Sequence, residues 1–170
     1  MADKTKSISD SLRREFDHEA ATTRAHLARL PHDQWGWRPH EKSFAAGALA
    51  SHLVECLGWG EAIFAADEFN VDPTAWQPYQ AASLADLLRD FDERAAQCRQ
   101  ALANMDDEML WQPWQLKIMG RVRFERPRLE AFRDMTLSHL IHHRGQLSVY
   151  LRLLNVAVPG SYGPTADEQG

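Results

Sequence analysis

The sequence predicts an all-α protein, a bundle of four long helices with a short β-hairpin before the last. Three observations carry that expectation. Four segments of roughly 20–27 residues repeat apolar side chains at spacings of three and four. Each segment has one apolar side, which must be buried against another helix. Turn-forming residues collect between the segments.

The first helix runs from about Ser7 to Leu30. Ile8, Leu12, Phe16, Ala20, Thr23, Leu27 and Leu30 make one stripe. Pro31 disfavours helical geometry at Leu30 and ends it. A tryptophan-bearing polar loop, Pro31 to His40, follows. Ser43 is the expected N-cap of the second helix, since a serine oxygen accepts from first-turn N–H groups. That helix reaches about Asp67 and puts Leu49, His52, Leu53, Cys56, Trp59, Gly60 and Ile63 on one side. Residues 69–82 hold Asn70, Asp72, Pro73 and Pro78 and read as a loop. The third helix opens at Ser83, where Ser83-Leu-Ala-Asp86 resembles a capping box. Leu88, Phe91, Ala95, Cys98, Leu102 and Met105 form its stripe. It stops before or within Asp106-Asp-Glu108, because acids oppose the dipole at a helix C-terminus. Between 114 and 126 the period changes to two: Trp114, Leu116 and Ile118 alternate with polar residues, as do Val122 and Phe124 beyond Gly120. That alternation predicts the hairpin. The fourth helix begins near Pro127, a residue suited to a first helical turn, and runs to about Leu154.

Length and composition agree with a single globular domain spanning 1–170. The chain has 170 residues, 44% hydrophobic and 25% charged. Its net charge of −5 and the lack of a recognition-helix motif argue against nucleic acid as a partner. No apolar run approaches the length of a membrane span. Residues Met1 to Asp10 are polar and carry no apolar leader. The two cysteines, Cys56 and Cys98, lie on apolar helical faces and form no disulfide framework. A reducing cytoplasm is the expected home. Charge is uneven: residues 61–110 carry eleven acids and three arginines, while 111–135 carry six bases and three acids. These read as solvated faces of opposite sign; alternatively Lys117, Arg121, Arg123, Arg126 and Arg128 attract an anionic substrate.

Eight histidines are present, and three of them form a pattern with chemical meaning. His139 and His143 sit four apart in the fourth helix. That spacing separates them by about 40° around the axis and about 6 Å along it. Two imidazoles so placed can grip one ion from a rigid helix. His52 lies on the apolar stripe of the second helix, beside Leu49, Leu53 and Cys56. Burying three unpaired imidazoles costs free energy, and ligation of a metal gives their nitrogens partners. Ordinary hydrogen-bonded core histidines are the competing reading. Cys56, one turn after His52, is either a fourth ligand or a core thiol. Gln146 and Tyr150 follow the pair at helical spacing and either pack or bond a bound molecule. His142 points to the polar face, and His18, His26, His32 and His40 are expected at the surface. The six tryptophans read as packing for helix ends and connections. No carboxylate obviously accompanies the histidines, and neither a phosphate-binding loop nor a hydrolase triad is present.

The run His139-Leu-Ile-His-His143-Arg-Gly-Gln-Leu147, continuing through Tyr150-Leu-Arg-Leu-Leu154, resembles the DinB family. This is a family of damage-inducible helical proteins in the DinB/YfiT-like superfamily. Trp37-Arg-Pro-His-Glu-Lys-Ser43 followed by His52, and the tail Tyr162-Gly-Pro-Thr-Ala-Asp-Glu168, are similar to the family as well. The resemblance implies an up-down-down-up four-helix bundle. It implies one divalent transition metal (zinc, nickel or iron) on His52, His139 and His143. It also implies a homodimer, in keeping with Ile141 and Trp59 outside the main stripes. Metal-dependent thiol transfer and thiol-dependent isomerisation, acting on a small thiol and an electrophile, are its implied activities. Three protein ligands leave an open position, which suits thiolate chemistry or water activation. Against the enzyme stand two readings: a non-catalytic metal or small-molecule binder in a stress response, and a scaffold whose ion ties two helices.

Overall fold

The computed structural model describes residues 7–168; residues 1–6 of the polar run Met1–Asp10 lie outside them. The fold is mostly helical with a small sheet. Its elements are α1 (Ile8–Leu27), a 3-10 turn (His32–Gln34), α2 (Ala46–Ala65), β1 (Glu68–Val71), α3 (Leu84–Ala103) and α4 (Asp107–Trp111). There follow β2 (Pro113–Ile118), β3 (Arg121–Pro127), α5 (Arg128–Phe132), a π-helical segment (Arg133–Ser138) and α6 (His139–Leu153). The segments α5, π and α6 join without a break, so the described residues hold five helices besides the 3-10 turn.

Long helices make the core. α1 and α2 each pack against both α3 and α6. Leu12, Phe16 and Leu27 of α1 are buried with Leu49, Leu53 and Leu57 of α2, Phe91 and Leu102 of α3, and Leu147 and Leu151 of α6. The three-and-four spacing therefore did locate the buried faces. Gly60 marks a close approach of α2 to α3 and α5. A Cβ there would lie 2.6 Å from the Cys98 sulfur and 2.9 Å from the Phe132 ring.

Of three expectations on helix ends and sheet content, the first and third need correction. First, Ser43 does not cap α2. The N-cap is Ala45, with no side-chain bond; instead the carbonyls of Trp37 and Trp35 accept from Ala46 and Gly47 N–H, both at 2.8 Å. Loop backbone replaces the serine. Second, α3 stops at Ala103, ahead of the acids at 106–108, as expected. Asp106 caps α4 by accepting from Met109 N–H at 2.8 Å, and Asp107 accepts from the N–H groups of Ile8 and Ser9 at the start of α1. They thus sit at helix N-termini, where negative charge is favourable. The capping role of Ser83 holds: its Oγ accepts from Asp86 N–H.

Third, the fold is not purely α. The expected hairpin forms as β2–β3, turning through Met119 and Gly120 at φ 51° and 75°. Two left-handed residues in succession match the twist of a tight hairpin. β1 joins parallel to β2, with Glu68 opposite Gln115 and Val71 opposite Ile118, inside the stretch read as loop. A four-residue strand with a partner more than forty residues away leaves no local period to read. Pro127 occupies the N-cap position of α5 rather than its first turn. Arg128 is buried and donates from Nη1 to the carbonyls of Ile63 and Ala66, 2.5 and 2.6 Å away, and from Nη2 to Asp67. It closes the C-terminus of α2 with a cation, as the helix dipole favours.

The C-terminal tail is fastened by a second buried arginine. Arg144 Nη1 donates to Glu19 Oε2 at 2.5 Å, and Nη2 donates to the Tyr162 hydroxyl at 2.8 Å, which in turn donates to Glu19 Oε1 at 3.0 Å. Both ionic side chains are almost wholly buried. Removing one partner strands the other charge without solvent. Arg144→Met is therefore expected to cost about 3–5 kcal/mol in urea unfolding, whereas Glu19→Leu combined with Arg144→Met recovers most of that loss.

Candidate metal centre

Two helices supply the histidines. His52 comes from the second turn of α2, and His139 and His143 from the start of α6. The structure brings the three together. Ring centroids lie 5.1 Å apart for His52 and His139, 4.8 Å for His52 and His143, and 4.7 Å for His139 and His143. The Nε2 atoms of His52 and His139 are 3.3 Å apart. Cys56 joins on the α2 side: one ligand atom each from His52, Cys56 and His139 lies within 4.8 Å of the others.

The outer edges of these rings are held by acceptors. His52 Nδ1 meets Glu55 Oε2 at 2.8 Å, and His143 Nδ1 meets Gln146 Oε1 at 2.7 Å. His139 bonds to the backbone of Met135. A carboxylate can only accept, so His52 Nδ1 carries the proton and its Nε2 keeps a lone pair. The same logic applies to His143 against an amide oxygen. Imidazoles whose free Nε2 atoms converge, as those of His52 and His139 do, are the arrangement of metal-ligating histidines, with outer partners fixing tautomer and orientation. At 3.3 Å, two lone-pair nitrogens repel unless a proton or a cation lies between them. The donor set therefore fits a divalent transition ion.

Burial favours the neutral imidazoles of His139 and His143. It lowers the pKa of His139, and the neighbouring His52 lowers it further. His143 is pushed down to about 4 by burial, against the opposing bond to Gln146. The Cys56 thiol is pushed up to about 12 by burial and by the nearby Glu55 charge. On its own it stays protonated at neutral pH. Phe44, 51% exposed, stacks on His52 at 5.9 Å and meets His143 edge-on at 6.3 Å. Tyr150 donates its hydroxyl to the Phe44 carbonyl at 3.2 Å and packs edge-on against Trp37. Phe44 is thus a partly solvated wall at the mouth of the centre.

Several side chains stand elsewhere than the sequence suggested. A carboxylate does accompany the histidines: buried Glu55, three residues after His52, whose other oxygen accepts from Tyr79 N–H at 2.7 Å. The His52-x-x-Glu55 spacing was the available signal, since residues three apart share a helix face. Gln146 bonds His143, and Tyr150 positions Phe44. His142, His18, His32 and His40 are exposed as expected, but His26 is fully buried, its Nδ1 meeting the Thr22 carbonyl at 2.9 Å. Arg128 of the basic stretch stands away from the centre. Arg128 begins the helix that carries His139 eleven residues later, about 16 Å along its axis. Lys117 pairs with Glu68, and Arg126 with Asp134.

These features define a class: a mostly helical protein with a candidate divalent-metal centre of converging histidines between two of its helices. The chain belongs to the DinB superfamily, whose family profile matches residues 15–147. Among solved structures it is similar to a DinB-like protein from Bacillus cereus, with TM-score 0.69 and 20% identity, over 92% of this chain and 99% of that one. It is also similar to a DinB-like protein from Bacillus subtilis, with TM-score 0.69 and 16% identity, over 94% and 99% respectively. At such identities the likeness establishes the fold. No curated protein matches the chain.

Two outcomes follow from this geometry. Glu55→Gln removes the anionic acceptor on His52 and is expected to weaken metal affinity roughly 10–100-fold in chelator competition, with the helical signal unchanged. Metal-free protein should lose stability as pH falls. The folded His143 value of about 4 lies below the ordinary 6.5, so its stabilising contribution is complete above 6.5 and lost as pH falls toward 4. Thermal unfolding across that range, compared with His143→Gln, reads the difference.

Proposed function

We propose that this protein is a metal-dependent enzyme that binds one divalent transition ion (zinc, nickel or iron) through His52, His139 and His143. Its chemistry is read as thiol S-transfer or thiol-dependent isomerisation. The observation that carries the reading is the convergence of His52 and His139 Nε2 at 3.3 Å with Nδ1 of His52 anchored on Glu55. Such an ion lowers the pKa of a thiol at an open position and stabilises its thiolate near neutral pH. The chain's own residues do the rest. Glu55 and Gln146 hold the imidazoles in the ligating tautomer. Phe44 offers an apolar wall to the substrate and limits water at the mouth. We read the long helices as an up-down-down-up four-helix bundle forming one domain over 1–170, in a cytoplasmic homodimer. No helix among the described residues is long and apolar enough to cross a membrane.

A second reading rests on Cys56. Its sulfur is fully buried and belongs to the same donor group as His52 and His139. If it closes the shell as a fourth ligand, the protein is a non-catalytic metal or small-molecule binder of a stress response.

The test begins with elemental analysis of reconstituted protein. About one ion per chain is expected, lost in the His52→Ala, His139→Ala, His143→Ala triple variant. Cobalt-substituted protein is then titrated with small biological thiols, and turnover is followed with an epoxide or haloaromatic electrophile. A new thiolate band on thiol addition, with turnover abolished in His143→Ala, supports the enzyme. A thiolate band present before any thiol is added, and absent from Cys56→Ser, supports the closed-shell binder instead.

A further inference from the structure

A cavity of about 620 Å³ lies between α2, α3, β1 and the segment that leads into α3, and none of the three site histidines lines it. That volume is of small-molecule size. Its walls combine two features. The first is aromatic: the Trp59 ring lies 5.8 Å from Trp76 and 5.7 Å from Phe69, and Tyr79 lines the cavity beside them. Trp76 remains 40% exposed although the Trp59 ring is at hand, so the aromatic wall is open rather than closed upon itself. The second is charge. Glu55, Glu61, Asp90 and Glu93 face one cation, Arg94, a balance of −3 across the lining.

The carboxylates are not equivalent. Glu55 is occupied by His52 and the Tyr79 N–H, and Asp90 by the Tyr79 hydroxyl at 2.6 Å and by Arg89. Arg94 lies over the Tyr79 ring at 5.3 Å instead of pairing with an acid. Among the described residues Glu61 and Glu93 make no hydrogen bond or ion pair. Glu61 is half-buried and lines this cavity together with Trp59 and Trp76. A half-buried carboxylate in a cavity that also holds two indole rings lacks a positive partner, and aromatic faces attract cations most strongly where water is thinned.

We propose that this cavity is a binding site for an organic cation, an ammonium group joined to an apolar body. The ammonium sits between Glu61 and the Trp59–Trp76 pair, with Glu93 at the rim, and the apolar body lies against Phe69 and Tyr79. The site is independent of the metal centre, although Glu55 touches both. Calorimetric titration of the full chain with 2-phenylethylamine, charged at neutral pH, against 2-phenylethanol, its neutral near-isostere, tests it. The amine should bind saturably and about tenfold or more tighter than the alcohol. Glu61→Gln should bring the amine down to the level of the alcohol, and Trp76→Ala should weaken it severalfold, each with unchanged circular dichroism. His139→Ala should bind it as the parent does, which separates this site from the metal centre. No saturable amine binding, equal binding of amine and alcohol, or full binding retained in both cavity variants overturns the proposal.

Discussion

The Glu55 carboxylate is the contact on which the arrangement around the centre depends. One oxygen accepts from His52 and the other from the backbone of Tyr79, so a single buried anion ties α2 to the segment that leads into α3. A carboxylate in that position needs both donors, because an unsatisfied buried charge is far costlier than an unsatisfied neutral group. Ser51, one turn earlier, accepts from Ala81 N–H at 3.1 Å and repeats the fastening with a neutral oxygen. The 69–82 stretch is therefore no free loop: β1 holds its beginning through the sheet, and α2 holds its end through two side chains.

Burial and hydrogen bonding act in opposite directions at the histidines, and burial wins. A bond to Gln146 favours the charged imidazole of His143, yet removal from water lowers its pKa well below neutrality. The result at His139 and His143 is a pair of neutral donors, the state that a metal requires and that a salt bridge does not. Cys56 is subject to the same force with the opposite chemical consequence: burial keeps its thiol protonated, so it becomes a ligand only if an ion takes the place of its proton.

Much of this was legible in the sequence because it is periodic or local. The helical stripes, the Ser83 cap and the Gly120 hairpin all lie within a few residues of chain, and the structure bears out each; the His139–His143 pair is as local, and its ring centroids lie 4.7 Å apart. What escaped the reading is non-local. β1 pairs with a strand forty-odd residues on. The start of α2 is capped by carbonyls of Trp35 and Trp37, which a composition of capping side chains cannot reveal. His26 and Arg144 are buried because α1, α6 and the C-terminal tail close over them, Arg144 with Glu19 and Tyr162 as partners. Glu55 was nearer to hand, since its spacing from His52 is local; its burial was not.

The π-helical stretch Arg133–Ser138 separates two halves of one long helix. Each residue of a regular α-helix advances about 100° around the axis, and a wider turn breaks that count. Phe132, ahead of it, packs against Phe64 and Phe16, while His139, just behind it, faces His52. The widened turn thus works as a phase shifter: the two halves of the helix keep independent angular settings, and either can be tuned against its own neighbours without rotating the other.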